Sequence, residues 1–259
     1  MLADFGRTVD DYSKHRAGFP EAFFQRLERE GMLHPGLRAV DLGTGTGTIA
    51  RGLARRGCTV TGLDISESML EGARRLASEQ GLSIEFRRAP AECTELPSSA
   101  FELVTAGQCW HWFDRAAAAR EAMRVLVPGG RILIAHFDWV MSPGNVVEVT
   151  EALMEEFNPG PPLPQYIHGH NVGLYPEWFR DLKTAGYVHL ESFSFDVEVP
   201  YTHESWRGRI RASAKVGGSL PKEKVARFDE AFAALLSQRF PQEPLSIPHR
   251  VFALFATRP

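Results

Sequence analysis

Apolar and polar residues follow two different rhythms along the first half of the chain. Short apolar runs of strand length occur at residues 39–42, 58–64, 83–88, 100–106 and 131–136. Between them lie stretches whose apolar residues recur every three or four positions, as in amphipathic helices. Strands that alternate with helices in this way favour a parallel sheet covered by helices on both faces. We therefore predict a doubly wound α/β fold.

Turn and helix signals extend this pattern in both directions. Pro20 and Gly31 bracket a predicted helix, because proline suits the first turn of a helix and glycine its end. After residue 137 the alternation stops, and proline-rich and glycine-rich loops surround a predicted short helix at 146–157. The remaining predicted elements are a helix at 176–185, a strand at 187–199, helices at about 203–216 and 221–239, and a last strand at 250–257.

The first strand runs into a glycine-rich segment, Asp41-Leu42-Gly43-Thr44-Gly45-Thr46-Gly47. Glycine lets the backbone turn sharply and approach a ligand closely. In open α/β sheets, nucleotides bind at the carboxyl end of such a strand. The spacing departs from the dinucleotide fingerprint G-x-G-x-x-G, because counting from Gly43 places Thr48 where the third small residue would stand.

This motif resembles the first motif of the class I S-adenosylmethionine-dependent methyltransferases. Within that family, the chain is similar to methyltransferase type 11 proteins and to trans-aconitate methyltransferase-like enzymes that act on small molecules. The resemblance extends over residues 12–137 and includes the Leu-Val-Pro-Gly-Gly segment at 126–130. It implies a Rossmann-like sheet of seven strands with an antiparallel edge strand, and helical insertions after strand 5 and between strands 6 and 7.

The same resemblance implies a domain organisation. Residues 1–259 form a single methyltransferase domain, in which 1–35 are an N-terminal cap and 36–137 are the cofactor-binding core. Segments 138–175 and 200–248 are insertions that serve as substrate lids. The cofactor expected of such a domain is S-adenosyl-L-methionine.

Asp64 is a candidate ligand for a nucleoside on chemical grounds. It stands at the end of the second predicted strand, 21 positions after Gly43. The two ribose hydroxyls are donors, and one carboxylate can accept from both. This argument applies equally to a methyltransferase and to a nicotinamide enzyme, so Asp64 indicates a nucleoside without choosing between the two.

Family resemblance supplies the remaining cofactor contacts. It places Ile65 and Met69 beside the adenine ring, Ala91 and Glu92 at the adenine edge, and Gln108 near the methionine end, while Arg16 reaches the methionine carboxylate. The loop contacts that it implies are Asp41, Gly43, Thr44, Gly45 and Gly47.

An aromatic segment, Trp110-His111-Trp112-Phe113, follows the fourth strand. It resembles the HWF element of the family, in which the aromatic rings lie at the transferred methyl group. A sulfonium is a cation, and aromatic faces stabilise cations. We therefore predict Trp110 and Trp112 as acceptor contacts, together with His168 and Tyr175 from the first insertion. His111 is the candidate catalytic residue, although packing within the aromatic cluster is favoured over a role as general base.

The acceptor is predicted as a small molecule, with a carboxylic acid preferred and a hydroxyl or carbon centre as alternatives. A carboxylate is already deprotonated at neutral pH, so its methylation needs no base. An arginine among Arg207, Arg209 and Arg211 would suit a carboxylate, because the guanidinium fork matches its shape.

Composition narrows the choice of partners. The 259 residues are 44% hydrophobic and 24% charged, with a net charge of −3. That charge disfavours nucleic acid and an anionic membrane as partners. The three cysteines and the histidines have no metal-ligand spacing, so no metal is expected. Reduced thiols and an N-terminal sequence without an apolar signal core predict a cytoplasmic protein. We expect it to be a monomer or a homodimer.

Two other functions remain open from the sequence. An NAD(P)-dependent oxidoreductase would need the dinucleotide spacing and a proton relay such as Tyr-x-x-x-Lys at a strand end, and neither is found. A regulator that binds S-adenosylmethionine without transferring its methyl group is the second alternative. Methyl transfer to a small molecule is therefore the predicted function.

Overall fold

The computed structural model describes His15 and residues 17–160, 166–167 and 170–259, with the backbone alone at 166–167 and 170–171. Two predicted site residues, Arg16 and His168, lie outside the described residues. The predicted cofactor contact of Arg16 and acceptor contact of His168 therefore stay predictions.

Strands and helices alternate through the first half of the chain, as the hydrophobic pattern predicts. The strands are β1 (Arg38–Leu42), β2 (Thr59–Asp64), β3 (Glu85–Arg88), β4 (Phe101–Gly107), β5 (Leu126–Trp139), β6 (Tyr166–Ile167), β7 (His170–Asn171), β8 (Val188–Tyr201) and β9 (Leu245–Thr257). The helices are α1 (Glu21–Arg29), α2 (Thr48–Ala54), α3 (Glu67–Glu79), α4 (Arg115–Val125), α5 (Val146–Phe157), α6 (Glu177–Thr184), α7 (His203–Arg211) and α8 (Lys222–Arg239).

Seven strands form one sheet in the order β3-β2-β1-β4-β5-β9-β8. The four pairings among β1 to β5 are parallel. Strand β9 runs antiparallel to β5. The backbone N–H of Arg258 donates to the carbonyl of Gly130, and that of Val140 donates to the carbonyl of Pro248, so residue numbers rise along β5 where they fall along β9. The predicted doubly wound sheet with an antiparallel strand near its edge is confirmed.

Strand β5 begins five residues earlier than the sequence pattern indicates. The Pro128-Gly129-Gly130 segment reads locally as a loop, yet it lies within the strand. Its backbone pairs with β9 through the N–H of Gly129, which donates to the carbonyl of Arg258 at 3.0 Å. Pairing with a segment more than a hundred residues away therefore overrides the local turn signal.

The described residues form two compact units. One unit comprises residues 18–137, 174–195 and 251–259, and it contains the glycine-rich segment. Its core packs the alanine-rich face of α4 and the aromatic side chains of Tyr175 and Trp178 with the buried residues of the central strands. Helix α1 buries Phe23, Phe24 and Leu27 as predicted.

The other unit comprises the remaining described residues, chiefly 138–160 and 196–250. Helices α5, α7 and α8 supply its own core, in which Trp206, Phe228 and Phe232 are fully buried. No helix in the described part of the chain combines the length and apolarity that crossing a membrane requires.

Candidate active site

The glycine-rich segment forms a tight loop between β1 and α2. All three of its glycines, Gly43, Gly45 and Gly47, have positive φ angles of 58°, 56° and 79°, a conformation that other residues rarely adopt. The N–H of Thr44 donates to the carbonyl of Leu63 at 2.8 Å, which ties the loop to the end of β2. The alternate glycine spacing is thus a backbone requirement of this turn.

The buried carboxylate of Asp41 holds the loop through hydrogen bonds. One of its carboxylate oxygens accepts from the Thr44 hydroxyl and the other from the Thr105 hydroxyl of β4, both at 2.6 Å. Burial raises the pKa of Asp41 to about 6, although these hydrogen bonds act in the opposite direction. The side chain is only 2% exposed, so the structure gives Asp41 a role in holding Thr44 and the loop rather than in touching a ligand.

The buried carboxyl makes a testable contribution to pH-dependent stability. The pKa of Asp41 in the folded chain, about 6, lies above its ordinary value of 3.8. The folded state therefore binds the proton more tightly, and this residue's contribution to the free energy of unfolding falls as the pH rises from about 4 to about 6. We expect Asp41→Asn to remove this fall of about 2–3 kcal/mol, the size implied by a shift of about two pKa units.

Urea denaturation of wild type and Asp41→Asn at pH 4, 5, 6 and 7 measures the effect. The informative quantity is the difference between the two free energies of unfolding, because the other titrating groups contribute equally to both proteins. A difference that does not change with pH would contradict the burial argument.

Asp64 lies at the end of β2, beside the loop. Its carboxylate accepts from the backbone N–H of Gly45 and from that of Ser66, each at 2.9 Å. Burial raises the pKa of Asp64, and these two N–H groups lower it. A carboxylate has about four acceptor positions, so two backbone donors leave capacity for the hydroxyls of a sugar.

Ile65 follows Asp64 and is 67% exposed, which is unusual for a large apolar side chain. Arg88 fixes the position of its backbone by donating from Nε to the carbonyl of Ile65 at 3.0 Å. An apolar surface next to a carboxylate suits the flat base of a nucleoside, so the adenine contact that the family resemblance implies for Ile65 stays a prediction that this exposure favours.

Two of the other predicted adenine contacts, Met69 and Ala91, are buried, unlike the exposed Ile65. Met69, in α3, is 4% exposed and packs in the interior, so the structure gives no support to its predicted contact with the base. Ala91 is also buried, at 5% exposed. Glu92 accepts from the backbone N–H of Asp114 at 2.9 Å, ahead of α4.

The segment after β4 packs directly on the glycine loop. A Cβ atom on Gly43 would lie 2.9 Å from both Cβ and Sγ of Cys109 and 3.0 Å from Phe113. The Cys109 thiol donates to the carbonyl of Leu42 at 3.2 Å. Gln108, which precedes it, has a φ of 61°. These contacts bring the predicted cofactor residue Gln108 and the aromatic segment next to the loop.

Two of the predicted acceptor contacts are interior residues. Trp110 is fully buried, and its indole N–H donates to Asp181 of α6 at 3.1 Å. Tyr175 is 1% exposed and stacks on Trp178, with ring centroids 3.9 Å apart. Both rings are packed in the core, so the structure gives no support to the predicted contacts of Trp110 and Tyr175 with the acceptor. Trp112, in contrast, is 41% exposed.

A second histidine, which no sequence motif indicates, lies next to His111 and Tyr175. His136, at the end of β5, is 4% exposed, and its Nδ1 is hydrogen-bonded to the Tyr175 hydroxyl at 3.0 Å. The ring of His111 lies 5.2 Å from that of His136. A histidine inside an otherwise apolar strand was the available signal, but nothing in the sequence links position 136 to position 175.

The predicted arginines are engaged within the second unit. Arg207 and Arg211 both bind the carboxylate of Asp229, and both also lie within ion-pair distance of Glu204. The guanidinium of Arg209 lies over the ring of Trp139, 4.6 Å from its centroid. Arg207 and Arg211 are therefore structural ion-pair residues, and the predicted grip on an acceptor carboxylate loses its support from them.

Comparison with known proteins gives a family match for the segment that contains the glycine loop. Residues 40–134, from β1 through most of β5, match the family model of a methyltransferase domain. Residues 40–134 therefore match a methyltransferase domain, in agreement with the class I S-adenosylmethionine-dependent family that the sequence resembles. The predicted family is thereby confirmed, and the matched segment contains the glycine loop, Asp64 and the aromatic segment of the methyltransferase domain.

Two relatives in sequence and one in structure illustrate the likeness. An uncharacterized methyltransferase of Mycobacterium tuberculosis is 31% identical over 57% of this chain and 60% of its own length. The demethylmenaquinone methyltransferase of Thermus thermophilus is 41% identical over 39% of this chain and 47% of its own. A Haemonchus contortus phosphoethanolamine N-methyltransferase, solved with S-adenosylhomocysteine, superposes with a TM-score of 0.58 at 18% identity and covers 100% of this chain and 61% of that one. The chain thus spans about three fifths of the length of the curated relative from M. tuberculosis.

Proposed function

We propose that this protein transfers a methyl group from S-adenosylmethionine to a small-molecule acceptor. The observation that carries the proposal is the arrangement at the carboxyl ends of β1, β2 and β4, where the glycine loop, the Asp64 carboxylate and the exposed Ile65 lie beside the aromatic segment. These groups suit, in turn, the methionine portion, the ribose and the adenine of the cofactor, with the reacting sulfonium toward the aromatic rings.

The residues present fit this cofactor chemically. Asp64 retains acceptor capacity after binding Gly45 and Ser66, as the two ribose hydroxyls require. Trp112 offers an exposed aromatic face, and such faces attract a sulfonium. When bound, S-adenosylmethionine supplies an electrophilic methyl group. The protein's contribution is then to align an acceptor atom with that methyl carbon and to exclude water.

The site geometry indicates the cofactor more directly than it indicates the chemical class of the acceptor. The T. thermophilus relative is named for methylating demethylmenaquinone, which supports an acceptor that is not a protein or nucleic acid. A carboxylic acid is still an acceptor to be tested. The ion pairs of Arg207 and Arg211 with Asp229, however, remove the argument that favoured it over a hydroxyl.

Isothermal titration with S-adenosylmethionine, S-adenosylhomocysteine and NADH, each in a separate experiment, tests the proposed cofactor. We expect saturable binding of the two sulfur compounds and none of NADH, because the loop lacks the dinucleotide spacing. Binding of NADH alone would refute the proposal. Binding of the sulfur compounds without transfer of a labelled methyl group to any small acid, phenol or amine would favour a regulator.

A further inference from the structure

A hydrogen-bonded pair of polar side chains lies inside the apolar core, next to the aromatic segment. His136 and Tyr175 are 4% and 1% exposed, and Tyr175 Oη lies 3.0 Å from His136 Nδ1. Burying two such groups costs free energy unless they satisfy each other. Their rings are also held from the side, because Tyr175 stacks on Trp178 at an interplanar angle of 13°. The core packing and this hydrogen bond thus hold the pair in place.

His111 connects this buried pair to the exposed part of the site. Its ring centroid is 5.2 Å from that of His136 and 4.8 Å from that of Trp112. Trp112 is 41% exposed, and the same segment packs on the glycine loop through Cys109. His111 thus contacts both the exposed Trp112 and the buried His136, within a segment whose Cys109 packs on the glycine loop.

We propose that Tyr175 and His136 position His111 to take a proton from a hydroxyl group of the acceptor, so that the acceptor is a phenol or an enol rather than a carboxylic acid. This inference rests on the proposed methyl transfer and deepens it by naming the class of acceptor. His111 is the catalytic residue in this arrangement, whereas His136 and Tyr175 act through it as positioning residues.

The proton transfer and methyl transfer balance without another reactant. The acceptor's O–H bond breaks and its proton goes to a ring nitrogen of His111. The oxygen electron pair forms the new O–CH₃ bond while the S–CH₃ bond breaks, and that electron pair stays on the sulfur as a neutral thioether. The positive charge therefore moves from the sulfonium to the imidazolium of His111, which later returns the proton to water.

A carboxylic acid would leave this arrangement without a purpose, since a carboxylate is ionised at neutral pH and needs no base. A phenol keeps its proton up to about pH 10, so its methylation gains from a base. When the Tyr175 hydroxyl donates to Nδ1 of His136, the ring proton of His136 lies on Nε2, which fixes both its tautomer and its orientation. A fixed His136 ring in turn limits the orientations that the His111 ring can adopt.

The neighbouring charged groups define the electrostatic setting. Helix α6 supplies Asp181, which accepts from the Trp110 indole and lies 3.4 Å from Arg115 of α4. Strand β5 continues to Asp138, two residues after His136. Asp114 caps α4 by accepting from the N–H of Ala117, and Glu92 accepts from the N–H of Asp114.

Tyr175→Phe tests the positioning role with the least disturbance, because phenylalanine keeps the stacked ring and removes only the hydroxyl. Tyr187→Phe is the matched control, since Tyr187 is equally buried and its hydroxyl donates to the carbonyl of Ala119 at 3.2 Å, away from the histidines. Both variants lose one buried hydrogen bond, so both should lose a similar amount of stability. Only Tyr175→Phe loses the contact with His136.

The activity assay uses tritiated S-adenosylmethionine with a panel of phenols and enols and a second panel of small aliphatic acids. Methyl ethers survive mild alkali, whereas methyl esters release methanol. We expect alkali-stable products from the first panel. We expect Tyr175→Phe to lower kcat about 10- to 100-fold at pH 7 and His111→Ala at least 100-fold, within the range of general base catalysis. Tyr187→Phe should stay within twofold of wild type.

The pH profile separates positioning from a structural effect. Wild type should show an acid limb typical of an imidazole base, and the deficit of Tyr175→Phe should shrink as the pH approaches the ionisation of the phenol. Unchanged affinity of the variants for S-adenosylhomocysteine would show that the cofactor site is intact. Equal kinetics for Tyr175→Phe and Tyr187→Phe at every pH would overturn the positioning role.

The remaining outcomes are also decisive. Alkali-labile esters from the acid panel would overturn the assignment to hydroxyl acceptors, and so would a protein that binds S-adenosylhomocysteine but methylates no phenol or enol. Failure to bind either sulfur compound would instead refute the proposed function itself. Long-range ¹H–¹⁵N spectra of the imidazoles require no acceptor. They should show His136 protonated at Nε2 in wild type and altered His136 and His111 signals in Tyr175→Phe but not in Tyr187→Phe.

Discussion

Asp64→Ala is expected to weaken the binding of S-adenosylhomocysteine by about a hundredfold. The substitution removes the acceptor proposed for the two ribose hydroxyls, and hydrogen bonds to a charged group contribute about 1.5–3 kcal/mol each. It also leaves the N–H groups of Gly45 and Ser66 without the oxygens that now accept from them at 2.9 Å. Isothermal titration of the variant against wild type gives the change in the dissociation constant directly.

Glu67→Ala is the matched control for Asp64→Ala. Glu67 is the first residue of α3, three positions after Asp64, and its carboxylate pairs with Arg74 at the surface, 2.6 Å away. Exposed ion pairs of this kind contribute little to stability, so removing this carboxylate should change neither folding nor cofactor affinity appreciably. Unchanged affinity in a folded Asp64→Ala variant would contradict the proposed ribose site at the end of β2.

Gly43→Ala is expected to be the most disruptive single-methyl substitution in the loop. The new Cβ would lie 2.9 Å from Cys109 and 3.0 Å from Phe113, at a φ of 58° that alanine disfavours. Backbone strain costs about 1–2 kcal/mol and overpacking about 1–3 kcal/mol more. We expect the free energy of unfolding to fall by about 3 kcal/mol. S-adenosylhomocysteine should bind at least about tenfold more weakly, because the loop must shift away from the aromatic segment.

Gly81→Ala separates the two causes. Gly81 also has a positive φ, of 65°, but an added Cβ there meets nothing within 4 Å. This control should show the backbone cost alone, about 1–2 kcal/mol, with cofactor affinity unchanged. Equal losses of stability and equal affinities in the two variants would show that the contact between the loop and Cys109 is unimportant.

The order of strands and helices could be predicted because it depends on local patterns. Apolar runs, capping residues such as Ser66 and the alternate glycines act over a few positions, so the sequence displays them directly. Asp64 was also predictable, since a carboxylate at the end of the second strand has few other uses. The boundaries were less certain, since β5 extends through Pro128-Gly129-Gly130, where Gly129 and Gly130 bond with Arg258, the residue that follows β9.

Burial decided which of the predicted site side chains are available to a ligand. Met69, Trp110 and Tyr175 have the residue types of a binding site, but the core encloses all three. Ile65 and Trp112 have similar types and remain exposed. A sequence gives the spacing of apolar residues, whereas the direction in which each side chain meets a neighbour depends on how helices pack on the sheet.

The arginines and the histidine pair depended on partners distant in the chain. Arg207 and Arg211 resemble anion-binding residues until the fold brings Asp229 to them, 22 and 18 positions later. His136 is an isolated histidine in a strand until Tyr175, 39 positions away, reaches its Nδ1. Charges and hydrogen-bond donors find partners by distance in space, and that distance is set only when the strands and helices have packed.

The α/β architecture, the methyltransferase family and the glycine-rich loop could therefore be predicted from the sequence by itself, because each depends on residues close together along the chain. The tertiary structure alone decided that Asp41 is buried beneath the loop, that two arginines are bound to acids, and that His136 contacts both Tyr175 and His111. Each of these depends on burial or on a contact between residues far apart in the sequence, which close packing creates and local patterns do not encode.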